Sequence, residues 1–450
     1  MHSPELASLA PQAVVLGLDP LWFAGTLFVL MYVLIATEWI NRAVIALGAA
    51  ALMVLGGVLT QEAALQGVDF NTLGLLTGMM VIVSITQKSG IFQYLAIWST
   101  KRVDARPWGI LVTLSLVTAV LSALLDNVTT VLLIAPVTLL ITEELKVNAY
   151  PYLFAEILSS NIGGAATLIG DPPNIMIGSA VGLTFNDFLL HVAPATLIVL
   201  PLTLGIIYLM WGRSMTAQPE DRERVMRYDE RDAITDKVLL GKSLGVLALV
   251  ILGFVMAHPL QLEPATIAAS GAALLLLLDN LPYSAKEQAQ RVHGSFAEVE
   301  WVTIFFFIGL FVAVHGLEST GLLTLLADQV VRMTGGDLGV MTIAILWVSA
   351  VASAVVDNIP FVATMIPIIQ SLGAGMADSE SLTPLWWSLS LGACLGGNGT
   401  LIGASANVIV AGFAERSGQP IRFLPFMLAA FPLMLLSILV ANIYIYLRYL

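Results

Sequence analysis

The chain has 450 residues, of which 58% are hydrophobic and only 11% charged, and its mean hydropathy is +0.89. So few Lys, Arg, Asp and Glu cannot cover the surface of a water-soluble fold of this length, which leaves a membrane protein. The formal charge of −12 is scattered rather than gathered in one run, so no nucleic-acid partner is expected, and the single cysteine, Cys394, excludes an internal disulfide.

Residues 1–20 contain no Lys or Arg and so lack the basic start of a cleavable signal peptide; the first span is expected to persist in the mature protein. Apolar runs follow at 21–37, 43–59, 108–125, 189–211, 244–257, 265–278 and 426–447, with shorter ones near 72–87 and 301–316. Residues 212–242 are the one long polar stretch, with seven Lys/Arg and seven Asp/Glu, and read as a solvated linker. Trp386, Trp387 and Tyr444 read as anchors at the membrane–water interface.

The two sides of this linker repeat one another. SALLDNVTTVLLIAPVTLLI at 122–141 matches SAVVDNIPFVATMIPIIQSL at 353–372 at an offset of 231, setting Asp126 on Asp357 and Asn127 on Asn358. TLIGDPPN at 167–174 then falls on TLIGASAN at 400–407 at an offset of 233, setting Asn174 on Asn407. The expected organisation is an N-terminal segment 1–20, a first repeat 21–211, a linker 212–242 and a second repeat 243–450. Each repeat is expected to make five crossings, with a re-entrant hairpin at the Asp-Asn pair and a broken helix through the TLIG segment. An odd number inverts the second repeat relative to the first. With the linker cytoplasmic, 17 of the 19 Lys/Arg then fall inside, leaving only Arg332 and Arg448 outside, as the positive-inside rule requires. The fold class expected is therefore an all-α polytopic membrane protein built from two inverted five-span repeats.

The breaks themselves carry the functional signal. Non-helical backbone at membrane depth is tolerated only where protein or a water-filled cavity satisfies its N–H and C=O groups. Gly163, Gly164 and Gly170 let the chain leave helical geometry, and Pro172 and Pro173 are expected to hold off the returning helix until Asn174. Gly396, Gly397, Gly399 and Gly403 do the same in the other copy. Asn174 and Asn407 are expected to cap the returning half-helices. Asp126 and Asp357 at the hairpin tips are either ion-binding groups or caps of the second hairpin arm, because an aspartate at this depth requires polar company. Asp171 faces Ala404 in the other copy, and this asymmetry marks it as the foremost proton carrier, with Asp126, Asp357 and the mid-span Glu156 behind it. His315 is either a relay or a helix contact, and Cys394 reads as a packing residue. No metal-ligand spacing and no nucleophile–base pair occurs, so neither cofactor, metal nor enzymatic chemistry is expected.

LLDNVTTVLLIAPVT, NIGGAATLIGDPPN, VVDNIPFVATMIP and GACLGGNGTLIGASANVIVAG resemble the paired motifs of the ArsB/NhaD branch of the ion transporter superfamily, and the likeness runs over roughly 20–447. The resemblance implies an elevator-type secondary transporter, with a scaffold and a mobile unit that holds the hairpins and broken helices, often as a homodimer in membrane lipid. It implies substrate- or ion-binding roles for Asp126, Asn127 and Thr129, for Asn161, Asp171 and Asn174, for Asp357 and Asn358, and for Asn398, Thr400 and Asn407. Asp-Asn at the tips places negative charge where dicarboxylate-carrying relatives have Ser-Asn-Thr, which argues against a carboxylate substrate. Proton-coupled efflux of arsenite or antimonite is the leading expectation, since a neutral metalloid hydroxide needs Asn, Thr and backbone partners but no Arg or Lys. Sodium–proton exchange is the alternative and an anion channel or anion transporter the third.

Overall fold

The computed structural model describes residues 17–37, 39–373 and 382–450, so most of the N-terminal segment 1–20 lies outside the described residues. These residues form helices and connecting turns, with no strand among them. In chain order the first repeat contains α1 (Pro20–Ala36), α2 (Arg42–Leu55), α3 (Gln61–Gln66), α4 (Phe70–Gln87), α5 (Ile91–Arg102), α6 (Pro107–Leu124), α7 (Asn127–Glu144) and α8 (Tyr150–Gly164). It ends with α9 (Pro172–Val181), α10 (Phe185–His191) and α11 (Ala193–Met210). Next come α12 (Pro219–Met226), α13 (Lys237–Val255), α14 (Ala257–Leu260), α15 (Pro264–Asn280) and α16 (Ala285–Ala297). The remainder is α17 (Trp301–Ser319), α18 (Leu322–Thr334), α19 (Leu338–Val355), α20 (Asn358–Gly373), α21 (Thr383–Gly396), α22 (Ser405–Arg416) and α23 (Phe423–Tyr449). Among the described residues eight helices are long and apolar enough to cross a membrane: α4, α6, α7, α11, α13, α17, α19 and α23.

The helices group into two compact units, each drawn from both halves of the sequence. In the first, which takes residues up to 69, 301–337 and the stretch from 363, α2 packs on α17 so closely that a Cβ on Gly309 would lie 2.5 Å from the Ala46 carbonyl carbon. Arg42 donates to Thr303 at 3.3 Å and lies over the Phe306 ring, and Tyr32 hydrogen-bonds Thr364 at 2.8 Å. His315, half-buried, pairs with Glu318 at 3.2 Å in this unit.

The second unit takes 70–300, 338–362 and the chain after 380, and it contains every candidate site residue but His315. Its tight seams are also built on small residues: Gly78 of α4 against Ala268 of α15, Gly163 of α8 against Ala119 of α6, and Gly396 of α21 against Ala350 of α19. Trp386 and Trp387 are 5% and 1% exposed, so they fill this interior and are not interface anchors. Tyr444 donates to the His191 carbonyl at 2.8 Å and so ties α23 to the end of α10.

The polar stretch after α11 is not a loose tether. Lys101 donates to Glu230 at 2.5 Å, and its ammonium holds that carboxyl below its ordinary value. Arg222 donates to the Asp104 carbonyl at 2.7 Å, and Arg224 and Lys146 converge on the buried Asp221 at 2.5 and 3.3 Å. Charged side chains so dense in sequence read as solvent-facing, yet they bond the backbone ends of α5 and α7. At the turn before α5, Gly90 sits at φ +82°, and a Cβ there would come within 1.7 Å of the Ala233 oxygen. Gly90→Ala therefore strains the turn and pushes residues 230–235 off their seat. Limited trypsinolysis should then cleave at Arg227 and Arg231 faster than in the wild type; equal rates would refute the docking.

Candidate functional site

The first break starts where α8 ends at Gly164 and closes where α9 begins at Pro172. The adjacent prolines do not delay the helix, contrary to the sequence expectation: they occupy its first turn, where the missing N–H groups have no intrahelical partner to lose. The N-cap position consequently falls on Asp171, and Asn174 is three residues in. In the second break α21 ends at Gly396, two short 3-10 turns follow at Gly397–Gly399 and Leu401–Gly403, and α22 starts at Ser405 with Ala404 as N-cap.

Asn174 and Asn407 are thus not caps; each braces the break behind it. The Asn174 amide donates to the carbonyls of Ala165 and Thr167 at 3.0 and 2.9 Å, and the Asn407 amide donates to those of Gly397 and Thr400, both at 2.8 Å. The same pairing recurs in the flanking hydroxyls. Thr167 and Thr400 donate to the carbonyls of Ala123 and Ala354, and Ser122 and Ser353 to those of Ser160 and Ala393, all at 2.5–2.6 Å. Unwound carbonyls that lipid would leave bare are in this way satisfied by buried side chains.

The hairpin tips come to the same place. Asp126 caps α7 by accepting from the Thr129 amide at 2.7 Å and hydroxyl at 2.5 Å. Its neighbour Asn127 receives no such turn role: its backbone N–H donates to the Gly170 carbonyl at 3.0 Å and its side-chain amide to Asn161 at 3.2 Å. Asn161 in turn donates to Asn398 and Asn407, both at 2.9 Å, so four asparagines from both repeats form one buried junction. Asp357 accepts from the Ile359 amide at 3.0 Å and from Ser405 at 2.8 Å. Asp171, fully buried, receives the Asn358 amide at 3.3 and 3.4 Å to its two oxygens and is also bonded by the Cys394 thiol, while the charges of Asp357 and Asp126 act on it.

Every residue expected at the site except His315 and Glu156 therefore converges on this region, and each hydrogen-bond partner named for the three aspartates is neutral. Glu156 lies farther out on α8, buried, and accepts from Thr138 of α7. Sequence reading missed Ser390 and Cys394, which donate to Asn174 at 2.7 and 3.5 Å, and Ser405, which holds Asp357. Cys394 falls opposite Asn161 in the duplicated pattern, the one signal that marked it. A cavity of about 200 Å³ lined by Ser84, Gln87, Glu298 and Glu300 reaches Thr129 at the first tip.

A polytopic helical protein with buried polar residues gathered around two interrupted helices has the build of a membrane transporter. The family model described as "Citrate transporter" (CitMHS) matches residues 32–392, and the chain belongs to that family. It is 45% identical to an uncharacterised transporter of Mycobacterium tuberculosis over 95% of this chain and 98% of that one. It is 34% identical to the P protein of Sus scrofa over 92% of this chain, which spans 58% of that longer relative. Among solved structures, the YdaH transporter of Alcanivorax borkumensis, described as having an unusual topology, shares the fold at a TM-score of 0.56 with 15% identity, over 96% of this chain and 98% of that one.

Proposed function

We propose that the chain is a proton-coupled secondary transporter of the ArsB/NhaD type whose cargo carries no net negative charge, with trivalent arsenite or antimonite, exported from the cell, as the first candidate. One observation carries this reading: three aspartates and four asparagines gather at the breaks and hairpin tips, and among the described residues the partners named for them are Asn, Ser, Thr, Cys and backbone groups. A neutral trihydroxide can both donate to carboxylate and amide oxygens and accept from amide N–H groups, so it matches such a site without a counter-charge. Free citrate, the substrate in the family's description, brings up to three negative charges to a place where no Lys or Arg among the described residues is bonded to these aspartates or asparagines, and the same objection weighs against an anion channel. Sodium–proton exchange is the second reading, favoured by the buried Asp171 carboxyl at the end of an unwound stretch, whose oxygens are hard donors of the kind a small cation takes.

In this reading the two repeats are inverted and the unit that carries the breaks moves as an elevator against the remaining helices, in a homodimer in the inner membrane with residues 212–242 cytoplasmic. The duplicated sequence pattern, the paired hydrogen bonds of the two breaks and the Lys/Arg distribution support it. The test is a substrate panel in proteoliposomes with an acidic lumen: arsenite, antimonite, sodium, and citrate with and without a divalent cation. Arsenite accumulation above that of empty liposomes is the expected result. Sodium-driven alkalinisation without arsenite movement replaces this reading with the second, and uptake of free citrate overturns both.

A further inference from the structure

α8 carries, on one face at positions 152, 156 and 159, three buried polar atoms that have no protein hydrogen-bond partner among the described residues: Tyr152 Oη, Glu156 Oε2 and Ser159 Oγ. Spacings of four and three residues place them in a single stripe about 10 Å long. α7, which packs on α8, adds Thr130 Oγ1 and Asn127 Oδ1, likewise buried and without a protein partner among the described residues. Two bonds pin this seam, Asn127 to Asn161 at the break and Thr138 to Glu156 farther out. At its outer end Tyr152 lines a cavity of about 340 Å³ together with Lys146, Asn148, Trp211, Ser214 and Thr216, beside the start of the linker. Five buried polar atoms without protein partners among the described residues, on two packed helices that reach the open cavity at Tyr152 and the asparagine junction at Asn127, are what a set of bridging waters requires.

The duplication supplies the contrast. Tyr152, Glu156 and Ser159 align with Leu385, Leu389 and Gly392, while Thr130 and Thr138 align with Phe361 and Ile369. The second half thus carries apolar residues or glycine at all five positions, so the polar stripe belongs to the first half alone. No other ionisable side chain acts on Glu156, whose one side-chain partner is Thr138. The helices packed on α8 carry ionisable groups of their own: Glu143 and Glu144 at the end of α7, Tyr208 near the end of α11, Cys394 in α21, and Glu415 and Arg416 at the end of α22. None of these is bonded to Glu156.

We propose that the seam between α7 and α8 is a water-filled proton path, distinct from the cargo site, in which Glu156 holds the proton in transit between the linker-side cavity at Tyr152 and the junction at Asn127. Glu156 Oε2 takes a proton from the hydrated chain on the Tyr152 side, forming the neutral acid, and returns it to water at the Thr130–Asn127 end; Thr138 fixes the carboxyl by bonding its other oxygen. This rests on the proton-coupled reading above, but its test does not require the cargo to be known.

Infrared difference spectra of the full chain in lipid, recorded after a pH jump, read the carboxylic acid C=O band directly. The expected results are a band that responds to bulk pH, its loss in Glu156→Gln, and a response slowed at least about tenfold in Tyr152→Phe, where the hydroxyl at the mouth is gone. Should Glu156→Gln fail to fold, Glu156→Leu combined with Thr138→Ile takes the residues found at the aligned positions 389 and 369 and should fold, again without the band. A band that ignores pH, one that survives both Glu156 variants, or an unslowed Tyr152→Phe overturns the path. In proteoliposomes, proton-gradient-driven arsenite accumulation should fall at least about tenfold in Glu156→Gln, and a wild-type level overturns it. If the wild type moves no cargo in the panel, the transport reading fails while the infrared arm still decides the path.

Discussion

Asp171→Asn should reduce gradient-driven uptake by about 100-fold, equivalent to roughly 2.7 kcal/mol, without unfolding the protein. The carboxylate lies fully buried, and its only hydrogen-bonded side chain among the asparagines is Asn358, held at the long distances of 3.3 and 3.4 Å. It also sits at the N-cap of α9 yet makes no capping bond with its side chain. The neutral Asn358 and Cys394 are its side-chain partners, with the Asp126 and Asp357 carboxyls acting through space, so this buried carboxylate has no bonded counter-charge among the described residues. Asparagine keeps the shape and still bonds Asn358 through its oxygen, but it cannot exchange a proton. The melting temperature should therefore stay level or rise while coupling is lost, a combination that a merely structural role does not produce. Asp126→Asn is the comparison: Asn caps a helix about as well as Asp, so α7 keeps its start. Uptake by Asp171→Asn within threefold of the wild type would move the proton site to another carboxylate.

The duplication made much of this arrangement legible. Aligning TLIGDPPN with TLIGASAN paired Asn174 with Asn407 and Thr167 with Thr400, and each pair makes corresponding bonds. The roles were harder to read than the positions. Asparagine near a helix start suggests a cap, but the prolines set the start of α9 two residues earlier, so the amide was free to brace carbonyls behind it. Ser390, Cys394 and Ser405 gave almost no signal because a lone small polar residue in an apolar helix is most often a packing element, and the partner of Ser390 lies 216 residues away in sequence. The short helices α5, α16 and α18 escaped notice for a different reason: they are too polar or too brief to stand out beside the spans. Charge misled at 212–242, where Asp221 looked solvated and is buried under Arg224 and Lys146.

Gly170→Ala should be a strongly damaging single-carbon change in the chain's polar centre. A Cβ at 170 would lie 2.5 Å from the Gly164 oxygen, 2.7 Å from the Ser122 oxygen and 2.8 Å from the Gly164 Cα, all backbone atoms with no rotamer to yield. Relief requires the break to widen, and widening pulls on the bond from the Asn127 amide to the Gly170 carbonyl that fastens the hairpin tip. Overpacking of this kind costs about 1–3 kcal/mol. At the aligned position, Gly403, the corresponding approaches to Gly397 and Ser353 oxygens are 2.7 and 3.0 Å, so Gly403→Ala should lose less. Gly412, mid-helix in α22 with nothing within 4 Å of a built Cβ, should gain up to about 1 kcal/mol on the same substitution, since alanine favours a helix over glycine. The order Gly412→Ala above wild type, then Gly403→Ala, then Gly170→Ala, read by intrinsic fluorescence melts in detergent, tests whether the breaks are close-packed backbone crossings. If Gly170→Ala melts with the wild type, the crossing is looser than these distances state, and the asparagine junction that depends on it loses its support.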